Sequence, residues 1–169
     1  MKKLCFVSVI VLLLMAGSNG AHAQSSQKKL NQAELLKKFF GTWKNEVSKD
    51  TINWLEFSAY GKNAMTGSSK MKVKNKIISQ NKQLCGYDNR SGKIIGVELD
   101  KHSGKMIFYI IEFVSENQHE GVAIMDITHP EKVTDKFYEV FESPDKIVHS
   151  YFENNKKIST VYTRVNTKK

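Results

Sequence analysis

Cysteine is scarce in this sequence, whose 169 residues include only Cys5 and Cys85. Cys5 lies in an N-terminal segment that we expect to be removed, so the mature chain would keep Cys85 alone. One cysteine cannot form an intrachain disulfide. Cys85 follows Leu84 in an apolar run, without the electropositive surroundings of a reactive thiol, and we expect it to be inert.

The sequence also lacks an apolar run long enough to span a bilayer. The longest, over residues 4–16, is shorter than the roughly 20 residues of a transmembrane helix. Lys2 and Lys3 precede it, and the small-residue site 21–23 follows it, which is typical of a secretory signal peptide. We therefore expect cleavage near Ala23, a periplasmic or extracellular location and no stable membrane anchor.

The motifs of several catalytic and metal-binding classes are missing as well. There is no Gly-x-Ser-x-Gly elbow, no glycine-rich phosphate loop and no histidine pair at metal-ligand spacing. The sequence therefore predicts no metal site and no catalytic residue. Among the histidines, His149 is the candidate of interest, because it lies mid-strand on the same face as Ile147 and Tyr151.

The basic charge does not indicate a nucleic-acid partner. The net charge of +9 falls to +7 without the two lysines of the signal segment. Lysines alternate with other residues from Lys70 to Lys76, which places the ammonium groups on one solvated face of a strand. No aromatic residues alternate with them to stack on bases, so we expect no nucleic-acid binding.

The sequence predicts one folded domain after the N-terminal segments. Residues 1–23 would be the signal peptide, residues 24–30 a disordered polar leader and residues 31–169 a single folded unit, which is enough for one core. Asn31 and Glu34 have the spacing of a capping box, and the apolar positions that follow fall on one helical face. We expect a short helix over residues 32–40, ended by Gly41.

From Thr42 onward, turn signals separate short β-rich runs. Asp88 to Gly92 and Asp100 to Gly104 have the same loop pattern, in which aspartate bonds its own backbone and glycine supplies a positive φ. Asn154-Asn155 is typical of a two-residue hairpin turn. The pattern predicts ten strands and an all-β sandwich or barrel. The expected strands are 42–48, 52–59, 63–73, 76–86, 93–100, 105–115, 119–128, 135–142, 146–153 and 157–165.

The strand near residues 106–114 is apolar on both faces, apart from Glu112. A strand of this kind needs cover on both sides. Cover of its outer face by the N-terminal helix and burial in a homodimer interface are both consistent with the sequence.

Three residues near the two ends of the domain indicate how a barrel would close. Trp43 would seal an apolar interior, with a burial free energy of roughly 5 kcal/mol as an upper bound. Gly41 lets the backbone turn tightly into the first strand. If the last strand pairs with the first, the Arg164 guanidinium can stack on the Trp43 indole.

On these residues the chain resembles the lipocalin-like, or calycin, superfamily. "FFGTWK" is similar to its opening Gly-x-Trp, "VYTRV" to its closing strand with arginine, and "GYDNRSGK" to an exported bacterial branch of uncharacterised domains. The resemblance implies a ten-stranded antiparallel up-and-down β-barrel with a short N-terminal helix. It also leaves open one cofactor, a haem with a strand histidine such as His149 as iron ligand.

The function that we expect is binding of a small, mainly apolar molecule without a reaction. The candidate lining residues are Trp54, Tyr109, His149 and Tyr151, chosen as mid-strand aromatic or titratable groups. An enzyme of the isomerase or cyclase type, using His149, Glu56 or Glu112 as an interior acid or base, is one alternative. A side-chain-filled barrel that docks an acidic partner through its lysine face is the other.

Overall fold

The structure is a computed structural model, which describes residues 29–132 and 135–165. The expected signal peptide and residues 24–28 of the expected leader lie outside the described residues. Leu30, the last residue assigned to the leader, packs against the hydrophobic core. No helix among the described residues has the length and apolar character needed to cross a bilayer.

The ten expected strands are confirmed and form one closed barrel. Each strand pairs antiparallel with its sequence neighbours, and the last pairs with the first. The β-rich runs therefore build an up-and-down barrel rather than a sandwich. The strands are β1 Gly41–Ser48, β2 Thr51–Ala59, β3 Ala64–Val73, β4 Lys76–Asp88, β5 Lys93–Asp100, β6 Met106–Phe113, β7 Gln118–Ile124, β8 Asp135–Ser143, β9 Lys146–Glu153 and β10 Lys156–Arg164.

The hairpin turns follow the chemistry that the sequence predicts. The carboxylate of Asp88 accepts hydrogen bonds from the backbone of the loop that it opens, and Gly92 has a φ of 72°. Asp100 and Gly104 repeat this arrangement. These two aspartates are turn residues on the surface and do not form an interior carboxylate pair.

A short helix and a 3-10 turn plug one end of the barrel. The α-helix α1 covers Gln32–Leu36, and a 3-10 turn over Lys37–Phe39 follows it, so the expected helix over residues 32–40 is correct in place but ends earlier as an α-helix. Asn31 caps it by accepting a hydrogen bond from the Glu34 backbone amide. The Gln32 amide bonds both backbone groups of Phe113, at 2.9 and 2.7 Å, and so fixes the plug to the end of β6.

The outer face of β6 is not covered by this helix. Leu36 and Phe39 of the plug pack into the barrel core. Met106 and Val114, on the outer face, remain about half exposed. Of the two covers that the sequence allows, the helix is therefore excluded, and the homodimer interface stays a prediction.

Trp43 fills the plugged end, and Arg164 holds it there. The indole is fully buried, and its Nε1 donates a hydrogen bond to the Phe39 carbonyl at 2.7 Å. Trp43 and Arg164 are register partners in the β1–β10 pair, and the Arg164 Cζ lies 4.1 Å from the indole centroid. The guanidinium also donates to the carbonyls of Phe40 and Lys38 in the plug. One side chain thus joins the first strand, the last strand and the plug.

Gly41 is required at this closure for two reasons. Its φ of +116° is one that L side chains rarely adopt. A Cβ at this position would also lie 2.7 Å from Nη1 of Arg164. The glycine therefore makes room for the guanidinium as well as for the turn from the plug into β1.

Candidate functional site

A cavity of about 350 Å³ occupies the barrel between the plug and the β3–β4 turn. Phe39 of the plug borders it at one end, and Met71 and Ser79 border it near that turn. Apolar and polar side chains both line the wall. They are Phe39, Asn53, Trp54, Leu55, Phe57, Met65, Ser69, Lys70, Met71, Ser79, Asn81, Gln83, Cys85, Glu98, Tyr109, Ile111, Phe137, Glu139, His149 and Tyr162.

A row of three hydrogen-bonded side chains crosses one wall of the barrel. His119, Glu139 and His149 occupy matching register positions on β7, β8 and β9. Nε2 of His119 lies 2.7 Å from one carboxylate oxygen of Glu139, and Nδ1 of His149 lies 2.8 Å from the other. His119 is buried among the rings of Phe39 and Phe113, whereas Glu139 and His149 border the cavity.

The two histidines keep Glu139 ionised. Burial by itself raises the pKa of this carboxyl group, but the charge and hydrogen bond of His119 and the same contributions of His149 outweigh it. The pKa of Glu139 therefore lies well below its usual range. With the carboxylate as acceptor, Nδ1 of His149 donates the hydrogen bond, and Nε2 is the ring nitrogen without a hydrogen-bond partner among the described residues.

A second polar cluster surrounds Glu98 on β5. Its carboxylate accepts hydrogen bonds from Nδ2 of Asn81 and Nε2 of Gln83, both on β4. The Tyr109 hydroxyl on β6 lies 3.4 Å from the same carboxylate. All three donors are neutral, so this carboxylate has hydrogen-bond partners but no cationic partner among the described residues.

The Cys85 thiol and the hydroxyls of Tyr109 and Tyr162 on the wall stay in their neutral forms near pH 7. Burial, followed by the nearby Glu98 charge, raises the pKa of Cys85 to about 11 and that of Tyr109 well above its usual range. Burial and the charge of Glu139 raise the pKa of Tyr162 to about 12. The charges of Glu98 and Glu139 both contribute to the raised pKa of each tyrosine.

Two amide oxygens on the cavity wall have no partner in the described part of the chain. They are Oδ1 of Asn53 on β2 and Oδ1 of Asn81 on β4, and both atoms are buried. Buried polar atoms in folded proteins are nearly always hydrogen-bonded, to protein groups or to bound molecules. The wall therefore offers acceptors that the protein itself does not use.

The cavity wall includes three of the four lining residues that were expected from the sequence. Tyr109 and His149 border the cavity through side chains on the inner face. Trp54 also borders it, but it shares its strand face with Glu56, and Nζ of Lys44 lies 5.6 Å from its ring centroid. Tyr151 is not part of the cavity wall. Its ring packs against His149, with centroids 6.0 Å apart.

The acids considered from the sequence point outward. Glu56 and Glu112 have half-exposed side chains and lie near Lys70 and Lys93, at 3.9 and 3.1 Å respectively, so neither is an interior acid or base. The interior carboxylates are Glu98 and Glu139, which the sequence reasoning missed. One signal was available for the second, because Phe137, Glu139 and Phe141 alternate on one face of β8, and an acid between two core aromatics points inward.

No group of three or more histidine, cysteine or acidic side chains in the described ranges has the arrangement of a metal site. His119, Glu139 and His149 are connected by hydrogen bonds within the protein. Neither a scan against models of known protein families nor a search of curated proteins found a match to this chain.

Proposed function

We propose that this protein is a small-molecule-binding barrel, and that the cavity between the plug and the β3–β4 turn is its binding site. The observation that carries the proposal is the cavity itself, whose volume of about 350 Å³ falls within the range of small-molecule sites. A barrel that served as a scaffold alone would be expected to fill this space with side chains.

The composition of the wall supports an occupant with an apolar body and a polar group. Leu55, Phe57, Ile111 and Phe137 supply apolar surface against which hydrocarbon would be desolvated. The polar clusters around Glu98 and Glu139 would orient the bound molecule. We therefore propose that the ligand carries a polar group in addition to the mainly apolar body expected from the sequence, since polar groups contribute a large part of the wall.

The resemblance to lipocalin-like proteins is consistent with this proposal. The barrel closes through the Gly41, Trp43 and Arg164 contacts on which that resemblance depends. We therefore propose membership of that superfamily, with action outside the cytoplasm after removal of the N-terminal segment.

Native mass spectrometry of protein purified from the producing cells tests the proposal. We expect a discrete added mass that disappears on denaturation. The variant Ser69→Phe, on the cavity wall, should lose that mass, and Ser58→Phe, at an exposed position of β2, should keep it. Bare polypeptide mass for the unchanged protein, together with no uptake of small aromatic probes, would contradict the proposal.

One observation favours an enzymatic function as the second candidate. Glu139 holds Nδ1 of His149, which leaves Nε2 at the cavity in the arrangement of a general base oriented by a carboxylate. Any turnover of a bound molecule should then be lost in His149→Ala and kept in His102→Ala, which changes a turn residue. Turnover that survives His149→Ala would exclude this role.

A further inference from the structure

The geometry points to a cationic ligand: the cavity takes a primary amine with an apolar body, and the Glu98 carboxylate binds its ammonium group. This inference rests on the proposed small-molecule function and adds the chemical class of the ligand and the residue that selects it.

Glu98 is the interior anion with room for a cation. In the described part of the chain, its hydrogen-bond partners are the neutral groups of Asn81, Gln83 and Tyr109, and no lysine, arginine or histidine forms an ion pair with it. Glu139, by contrast, is held by two histidines. A carboxylate that is partly removed from water is better stabilised when a cation pairs with it, and a bound ammonium group would supply that charge.

Among the described residues, the buried wall atoms that lack a hydrogen-bond partner are both acceptors. They are Oδ1 of Asn53 and Oδ1 of Asn81, for which the described residues provide no donor. The Glu98 oxygen that accepts from Asn81 has no second donor either. An ammonium group carries three donors and no acceptor, so it complements these unused oxygens.

An anionic ligand such as a fatty acid would meet the opposite arrangement. Its carboxylate would share the interior with the Glu98 carboxylate, which has no cationic partner among the described residues, and like charges repel each other. Among the described residues, Lys70 is the one lysine that borders the cavity, and its Nζ lies 3.9 Å from Glu56 on the outer face of β2. No arginine is part of the wall.

The remainder of the wall indicates what the amine carries. Phe57 and Phe137 border the cavity, and Tyr109 packs edge-on against Phe137 with centroids 5.9 Å apart. These rings suit a flat apolar body of one or two rings. We therefore expect aralkylamines to bind more tightly than short polar amines.

Isothermal titration with three probes of similar shape tests the inference. The probes are 2-phenylethylamine, 2-phenylethanol and 3-phenylpropanoate, whose head groups are cationic, neutral and anionic. We expect the amine to bind at least about tenfold more tightly than the alcohol, and the carboxylate to bind least, since a charge-assisted hydrogen bond contributes about this factor or more. This comparison uses the unchanged protein and does not depend on any variant.

A pair of variants then assigns the effect to Glu98. Glu98→Gln should reduce amine affinity about 10- to 100-fold, to the level of the alcohol, with little effect on the alcohol itself. Glu112→Gln, which changes an exposed glutamate paired with Lys93, should leave all three affinities unchanged. Thermal melting of each variant confirms that it is folded.

An amine that binds no more tightly than the alcohol or the carboxylate overturns the inference, as does an amine preference that survives in a folded Glu98→Gln protein. Binding of the alcohol or carboxylate without amine preference leaves the small-molecule function standing. If none of the three probes binds and the purified protein has only its bare polypeptide mass, both the amine inference and the proposed small-molecule function are overturned.

Discussion

The Arg164 guanidinium lies over the Trp43 indole, with Cζ 4.1 Å from the ring centroid, although the two residues belong to the last and first strands of the barrel. The same guanidinium donates to two carbonyls of the plug and, through Nε, to the Pro144 carbonyl in the β8–β9 turn. The closure of the sheet and the sealing of its end therefore depend on one side chain.

Replacement of Arg164 by lysine should destabilise the protein by about 1–3 kcal/mol. Lysine keeps the charge but loses the planar group that stacks on Trp43 and donates in several directions. Urea unfolding monitored by tryptophan fluorescence measures the change. Arg90→Lys, at a side chain that is 94% exposed, is the matched control and should change stability by less than about 0.5 kcal/mol. Equal effects of the two substitutions would exclude a role of Arg164 in closure.

Gly41→Ala should cost more stability than an alanine substitution at another glycine of positive φ. Gly41 combines a φ of +116° with the close approach of Arg164, whereas Gly61 has a φ of +71° and nothing within 4 Å of a Cβ. We expect a loss of at least about 2 kcal/mol for Gly41→Ala and about 1 kcal/mol for Gly61→Ala, by denaturant unfolding. A smaller loss at Gly41 than at Gly61 would show that Arg164 does not need this space.

Glu139→Gln should destabilise the protein by about 2–4 kcal/mol near pH 6, because it leaves two histidines without their charged partner. The folded-state pKa of Glu139 is lowered, so its ionised form adds stability above the unfolded pKa of about 4, and this contribution is lost as the pH falls toward the folded value. The difference in the free energy of unfolding between the variant and the unchanged protein should therefore decrease from pH 6 to pH 3.

Unfolding curves at both pH values measure this difference, with Glu112→Gln as the control at an exposed ion pair. The control should change stability by less than about 1 kcal/mol. A difference for Glu139→Gln that is unchanged at pH 3 would contradict the ionised state assigned to Glu139.

The Cys85 thiol should react slowly in the folded protein. Burial and the charge of Glu98 raise its pKa to about 11, so the thiolate fraction at pH 8 is small. In a chain that begins at Gln24, where Cys85 is the single cysteine, we expect alkylation by iodoacetamide at pH 8 to be more than about 100-fold slower when folded than in guanidinium. Similar rates in both states would show that this part of the cavity wall is open to solvent.

Much of the fold could be predicted because strand periodicity and turn chemistry are local properties. Asp88 with Gly92, and Asn154 with Asn155, indicate where strands end, and ten short strands with tight turns leave few topologies. The contact of Trp43 with Arg164 was also predictable, since a closed sheet brings the first and last strands together. The length of the α-helix in the plug could not be predicted, because the last turn of the expected helix tightens into a 3-10 turn where Phe39 enters the barrel.

The candidate site was less predictable, since it depends on which side of each strand faces inward and on pairs across strands. His119, Glu139 and His149 are far apart in sequence and meet only through the register of β7, β8 and β9. Glu98 lacks apolar neighbours on its strand face like those of Glu139, so the local sequence did not indicate that Glu98 points inward. Tyr151 was expected on the cavity wall as a mid-strand aromatic residue, but it is not among the residues that line the cavity.

A crystal structure of the protein purified from its producing cells tests the central claim most directly. The account predicts a closed ten-stranded barrel, with electron density for a non-protein molecule between Phe39 and the β3–β4 turn, in contact with the Glu98 cluster. An open sheet, or a barrel whose interior holds only side chains and ordered water, would contradict it.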